Sequence, residues 1–219
     1  MKVLVLILSI FILFWCSSNK EPDVIIKEKE NDEKRIILAL WDSITAWYWL
    51  TLEDSYPSKL EKLINNNWYN YKVINWWVSW DTSDGLKSRA SIYTHLNPDT
   101  VIIVIWWNDW LRWLPLDNLK TNILEVIDIF KNLNTNIVVS WMDIPANLWV
   151  SYRNNFRDVY KDIQKERNDI FFQDFFLEWV AWNPKLNLSD MIHPNSSWYD
   201  IISNNMYDFL EKNNLLIKD

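Results

Sequence analysis

The chain has 219 residues, 49% hydrophobic and 23% charged, enough for one α/β domain with a sizeable core plus a short leader. Its net charge of -7, with no basic cluster, argues against a nucleic-acid binder, and a lone cysteine leaves no disulfide framework. Two counts stand apart: 17 Trp and a single Gly, Gly85, where average usage of about 7% would give roughly 15 glycines.

The leader comes first. Met1-Lys2 precedes an apolar run over residues 3–15, broken only by Ser9. A positive start and a run shorter than the roughly 20 residues of a spanning helix describe a signal peptide. The run stops at Leu13-Phe14-Trp15-Cys16. With glycine at 15 this resembles the lipobox of bacterial lipoproteins, in which the cysteine is lipidated and becomes the new N-terminus. Residues 1–16 are therefore expected to be a lipoprotein signal peptide and Cys16 the lipidated residue. The expected location is the cell envelope, outside the cytoplasm and anchored to a membrane by the lipid. A buried core cysteine or an uncleaved signal anchor are the alternatives. Residues 17–35 are polar and charge-rich and read as a tether without structure of its own.

Residues 36–219 read as one domain. Short apolar runs at 36–40, 72–75, 101–105, 136–140 and 170–173 predict five strands. Continuous rather than alternating hydrophobicity is the pattern of strands buried on both faces, as in a parallel sheet. Helical patterns alternate with them at 55–64, 83–96, 117–133, 152–166 and 197–212. The clearest places Leu119, Ile123, Val126, Ile127, Phe130 and Leu133 on one face. Asp54 and Asp117 are the predicted N-caps of two of them. The fold class is α/β, a parallel sheet covered by helices.

Tryptophan sits where this pattern needs turns. Trp76-Trp77 with Trp80, and Trp106-Trp107 with Trp110, follow β-branched runs where strands should end. Turns favour glycine because they use positive φ or close backbone approach, whereas an indole carries a large surface that a turn cannot bury. One explanation accounts for both anomalous counts: the tryptophans stand at codons read as glycine in the cell. Some bacterial lineages reassign UGA to glycine. A Trp-rich carbohydrate binder with aromatic platforms is the alternative.

Three residues carry candidate chemistry. Ser43 follows the first predicted strand in Trp41-Asp42-Ser43, and the last loop carries Asp190-Met191-Ile192-His193-Pro194. A serine hydroxyl becomes a nucleophile when a base takes its proton, and the base needs a carboxylate to hold its tautomer and support its charge. Asp190 and His193 are three residues apart, so one turn can bring them together. The other histidine, His95, ends a predicted helix and reads as structural.

With glycine at the tryptophan positions, four stretches become Gly-Asp-Ser-Ile, Asn-Gly-Gly-Val-Ser-Gly-Asp-Thr, Gly-Gly-Asn-Asp-Gly-Leu-Arg-Gly and Asp-Met-Ile-His-Pro-Asn. They resemble, in order and spacing, the four blocks of the SGNH (Gly-Asp-Ser-Leu) hydrolase family, closest to its bacterial thioesterase, arylesterase and lysophospholipase branch. The resemblance implies a flavodoxin-like three-layer α/β/α fold with a five-stranded parallel sheet. It implies a nucleophile at Ser43, a base at His193 and an orienting carboxylate at Asp190. The oxyanion hole would use the backbone N–H of Ser43, the backbone N–H of Trp80, where glycine is expected, and the side-chain amide of Asn108. No metal and no cofactor are implied. The implied partner is a small-molecule or lipid acyl ester, and the chain is expected to be a monomer. A carbohydrate O-deacetylase of the envelope and a non-catalytic lipoprotein retaining the fold are the competing readings. Ile44, where the family name has leucine, is a mild apolar exchange.

Overall fold

The structure is a computed structural model that describes residues 34–41, 51–78, 80–104, 107–141, 150–174, 185–186 and 195–218. Five strands, β1 (Arg35–Trp41), β2 (Tyr71–Trp77), β3 (Thr100–Val104), β4 (Asn136–Ser140) and β5 (Phe171–Gln173), pair in parallel in the order β2-β1-β3-β4-β5. Each arises from an apolar run in which consecutive residues are buried. Ile37, Leu38, Ala39 and Leu40 are inaccessible to solvent, as are Val101 and Ile102 in β3 and Ile137 and Val138 in β4. Neither face of the sheet centre meets water, which is why the strands read as continuous rather than alternating.

The helices among the described residues are α1 (Tyr56–Asn66), α2 (Ser83–Ala90), α3 (Trp107–Leu111), α4 (Leu116–Lys131), α5 (Val150–Glu166) and α6 (Ser196–Lys212). α1 packs on α6, and α4 packs on both α2 and α5. The chain moves one way along the sheet from β1 to β2 and the other way from β2 to β3, β4 and β5. Right-handed crossovers send the two directions to opposite faces, giving a three-layer flavodoxin-like fold. In α4, Leu119, Ile123, Val126, Ile127 and Phe130 form the expected stripe and are fully buried. Burying each side chain contributes at most about 1.5–3 kcal/mol.

Several expectations are corrected in detail. The predicted helix over 83–96 is two pieces, α2 to Ala90 and a 3-10 segment Ser91–Leu96. The N-cap of α1 is Ser55 rather than Asp54, with its hydroxyl accepting from the Ser58 N–H at 3.4 Å. Asp54 instead accepts from the Thr51 and Ser196 hydroxyls and pairs with Lys59. Asp117 caps nothing: α4 starts at Leu116 after Pro115, and Asp117 sits in its first turn, where the helix dipole favours a carboxylate. β2 runs on through Trp76 and Trp77, which pair in register with Leu40 and Trp41 rather than forming a turn. β1 begins at Arg35, whose guanidinium donates to Asp99 at 3.0 Å.

Three helix ends share one device. After α1, the Trp68 N–H donates to the Asn65 carbonyl and the Tyr69 N–H to the Ile64 carbonyl. After α3, the Trp113 N–H donates to Trp110 and the Leu114 N–H to Asp109. After α6, Asn214 and Leu215 donate to Glu211 and Leu210 in the same pattern. These are Schellman closures, whose turning residue takes left-handed φ and is usually Gly or Asn. Here the turning residues are Trp68 (φ 68°), Trp113 (φ 54°) and Asn214 (φ 55°). Trp80 is the third tryptophan in this conformation among the described residues, at φ 62°.

Candidate active site

In an open parallel sheet, ligands bind outside the carboxyl ends of the strands where the strand order reverses. Here that point lies between β1, whose next strand in sequence is on one side, and β3, on its other side. Residues 42 and 43 follow β1 directly in sequence, residue 80 follows β2 and Asn108 lies in α3 just after β3. Ser43, Asp190, His193 and Cys16 lie outside the described residues. Asn195, two residues after His193 in sequence, caps α6 by accepting from the Trp198 N–H at 3.2 Å.

The described part of the site joins the turn after β2 to α3. Asn108 is fully buried, and its Nδ2 donates to the Asp81 carbonyl at 2.8 Å. A carbonyl only accepts, so this contact fixes which way the amide faces, and the second hydrogen on Nδ2 has no acceptor among the described residues. Oδ1 of Asn108 is buried without a partner among the described residues. Asn108 therefore presents its NH2 edge at the turn that carries residue 80. Arg112 reaches back from the end of α3, Nη2 donating to the Trp80 carbonyl at 2.8 Å. Trp80 itself holds a left-handed backbone with its residue 58% exposed. That conformation crowds any Cβ and costs an L-residue roughly 1–2 kcal/mol.

Two carboxylates stabilise this junction. Asp81 accepts from Arg89 Nε at 2.8 Å and Nη2 at 2.7 Å, a largely buried ion pair. It lies against Gly85: a Cβ placed there would meet Asp81 Oδ1 at 1.9 Å. The one glycine in the sequence thus answers a demand for space, not for positive φ. Asp109 is buried and accepts from both the backbone N–H of Ser83, at 2.8 Å, and its hydroxyl, at 2.6 Å. Burial pushes the Asp109 carboxyl up from the ordinary aspartate range; the Ser83 hydrogen bonds pull it down and the nearby Asp81 charge raises it further. The sequence blocks that single out Asn108 also contain or adjoin Asp109, Arg112 and Ser83, but gave these three no role.

His95 ends the 3-10 segment, exposed, with Nδ1 at 2.6 Å from the Ile92 carbonyl. Because that carbonyl accepts, Nδ1 carries the proton. Among the described residues no three His, Cys, Asp or Glu side chains converge as metal ligands.

The GDSL-like Lipase/Acylhydrolase family matches residues 39–201. The chain is 31% identical over 159 residues to an arylesterase of Vibrio mimicus, covering 72% of this chain and 79% of that protein. It is 28% identical over 161 residues to Thioesterase 1/protease 1/lysophospholipase L1 of Escherichia coli K12, covering 73% and 75%. Among solved structures it resembles the psychrotrophic esterase EstA from Pseudoalteromonas sp., inhibited by monoethylphosphonate. That likeness has a TM-score of 0.73 at 26% identity, covering 82% of this chain and 98% of the other.

Proposed function

The chain belongs to the GDSL-like Lipase/Acylhydrolase family and is a serine hydrolase acting on ester bonds, and from that premise we propose a specific mechanism and substrate class. Ser43 attacks the acyl carbonyl while His193 takes its proton, and Asp190 holds the imidazole in the tautomer that can do so. The carbonyl oxygen, now an oxyanion, receives the backbone N–H groups of residues 43 and 80 and the second N–H of the Asn108 amide. His193 then protonates the leaving alcohol or thiol, and water, activated by the same base, frees the acyl group from Ser43. The substrates are acyl esters of the arylesterase, lysophospholipase or thioesterase type, in keeping with the names of the Vibrio and Escherichia relatives.

The observation that carries this reading is the Asn108 amide, buried and locked on the Asp81 carbonyl beside the residue 80 turn, with no other acceptor on its Nδ2 among the described residues. Hydrolysis of p-nitrophenyl esters tests it. Ser43→Ala should lower kcat by about 10⁴–10⁶-fold. Turnover confined to acetylated sugars would instead indicate a deacetylase, and no turnover of any ester a non-catalytic protein.

The same proposal includes glycine at the tryptophan positions in the natural protein. Among the described residues, three of the six non-glycine positions at positive φ are Trp68, Trp80 and Trp113, and two of these close Schellman motifs where glycine is usual. Trp68 spends its indole in water, at 86% exposure. Trp198 is buried with its Nε1 unpartnered among the described residues, although a buried indole N–H ordinarily finds an acceptor. UGG codons at these positions in the gene would refute the glycine assignment. Residues 1–16 act as a lipoprotein signal peptide, Cys16 carries the lipid, and residues 17–35 tether the domain to the envelope membrane. Radiolabelled palmitate should enter the protein and be lost in Cys16→Ser; incorporation that survives the substitution would contradict the anchor.

A further inference from the structure

Asp109 is a buried acid where packing alone would favour an apolar side chain. Its residue is 1% exposed, and beside its own backbone N–H it accepts from the N–H and the hydroxyl of Ser83. A buried carboxylate is costly to desolvate and is kept where hydrogen bonds offset that cost. The segments that those hydrogen bonds join give the residue a role beyond packing. Ser83 is the first residue of α2, so its backbone N–H lacks an acceptor within the helix. Asp109, in the first turn of α3, provides that acceptor from a different helix.

The Ser83 hydroxyl is fixed as well. Asn122 Nδ2 of α4 donates to Ser83 Oγ at 3.0 Å. That contact uses an Oγ lone pair and directs the hydroxyl hydrogen to Asp109. Asp109 is adjacent to Asn108 in sequence, and Ser83 is three residues from Trp80. The carboxylate thus ties together the two segments that carry two of the three oxyanion donors assigned above.

We propose that Asp109 is a positioning residue: by holding the N–H and hydroxyl of Ser83, it fixes the turn after β2 against α3. The backbone N–H of residue 80 and the Asn108 amide then stand at one set separation before substrate arrives. This inference rests on the oxyanion roles proposed for those two groups. Asp109 touches no reacting atom; its effect passes through them. Preorganised donors act only at the positions where charge develops, and a displacement of about 1 Å can cost about 10²-fold in rate.

The test uses the full chain with glycine at the tryptophan positions. Asp109→Ala should lower kcat for p-nitrophenyl butyrate about 10²-fold while KM stays within about threefold, because the lost interaction is felt by the oxyanion rather than the ground state. Asp109→Asn should recover most of that loss: its Oδ1 can accept from the Ser83 N–H while its NH2 donates to Ser83 Oγ. Ser83→Ala, which keeps the N–H contact, should fall between them and guards against a failure of Asp109→Ala to fold. A kcat within threefold of the parent in folded Asp109→Ala, or an Asp109→Asn as impaired as Asp109→Ala, overturns the proposal. Amide hydrogen exchange gives a readout independent of turnover. Asp109→Ala should speed exchange in residues 80–83 as well as 108–113, and unchanged exchange at 80–83 overturns the proposal. If the parent hydrolyses no ester, the esterase reading fails, and exchange alone decides whether Asp109 couples the two segments.

Discussion

Position 68 offers a perturbation whose sign depends on the backbone alone. Removing the Trp68 indole changes burial and conformation together, so the informative comparison is between Trp68→Ala and Trp68→Gly, which differ by one Cβ. At φ 68° that Cβ crowds the following carbonyl, at roughly 1–2 kcal/mol. Against this, glycine loses about 0.5–1 kcal/mol more conformational entropy than alanine on folding. Glycine should therefore win by up to about 1.5 kcal/mol, centred near 0.75 kcal/mol. Trp76 is the control. It lies in β2, paired with Leu40 and outside the positive-φ set. There the steric gain vanishes and only the entropy remains, so alanine should win by about 0.5–1 kcal/mol. Urea unfolding of the four variants measures both differences, with equal m-values required for the comparison. Opposite signs at 68 and 76 support the Schellman geometry and the demand for glycine at its turning residue. The same sign at both positions would refute it.

Further predictions follow from the junction between β2 and α3 and from the surface. Arg89→Met leaves the Asp81 carboxylate, 8% exposed in its side chain, without its guanidinium, and should cost about 3–5 kcal/mol in a urea melt. Gly85→Ala should destabilise the fold despite alanine's helix propensity, because the new Cβ would sit 1.9 Å from Asp81 Oδ1 and force that carboxylate off Arg89; a more stable variant would contradict the contact. Asp169 is held down to about 2 by the Arg167 guanidinium. A depressed folded-state value adds stability above the unfolded carboxylate value of about 4 that is lost as pH falls through about 2. Thermal melts of the parent and Asp169→Asn should therefore differ at neutral pH and converge towards pH 2, whereas a constant gap would argue against the pairing. Asp109 has the opposite sign: its raised value makes ionisation oppose folding, so its own contribution improves as pH falls.

Much of the architecture was readable because strands buried on both faces leave an unmistakable trace. Ile36–Leu40 and Val101–Val104 are apolar without interruption, and no amphipathic alternative fits them. The α4 stripe was equally clear, since five of its members point into the core at helical spacing. The ends were less readable, for reasons outside the local sequence. Asp54 and Ser55 both suit an N-cap; Lys59 and Ser196, the latter far along the chain, engage Asp54 and leave Ser55 to cap. The extension of β2 through Trp77 depends on pairing with β1. α3 spans five residues, too few to show a period. At the site, the blocks located residue 80 and Asn108, but a Ser83–Asp109 contact across 26 residues leaves no local pattern to find.

Covalent labelling with a fluorophosphonate tests the nucleophile assignment most directly. The full chain, with glycine at its tryptophan positions, should take up one phosphonyl group, mapped by peptide mass spectrometry to Ser43. Ser43→Ala should take up none. An adduct on another serine, or equal labelling of Ser43→Ala, would contradict the assignment of Ser43 as the nucleophile.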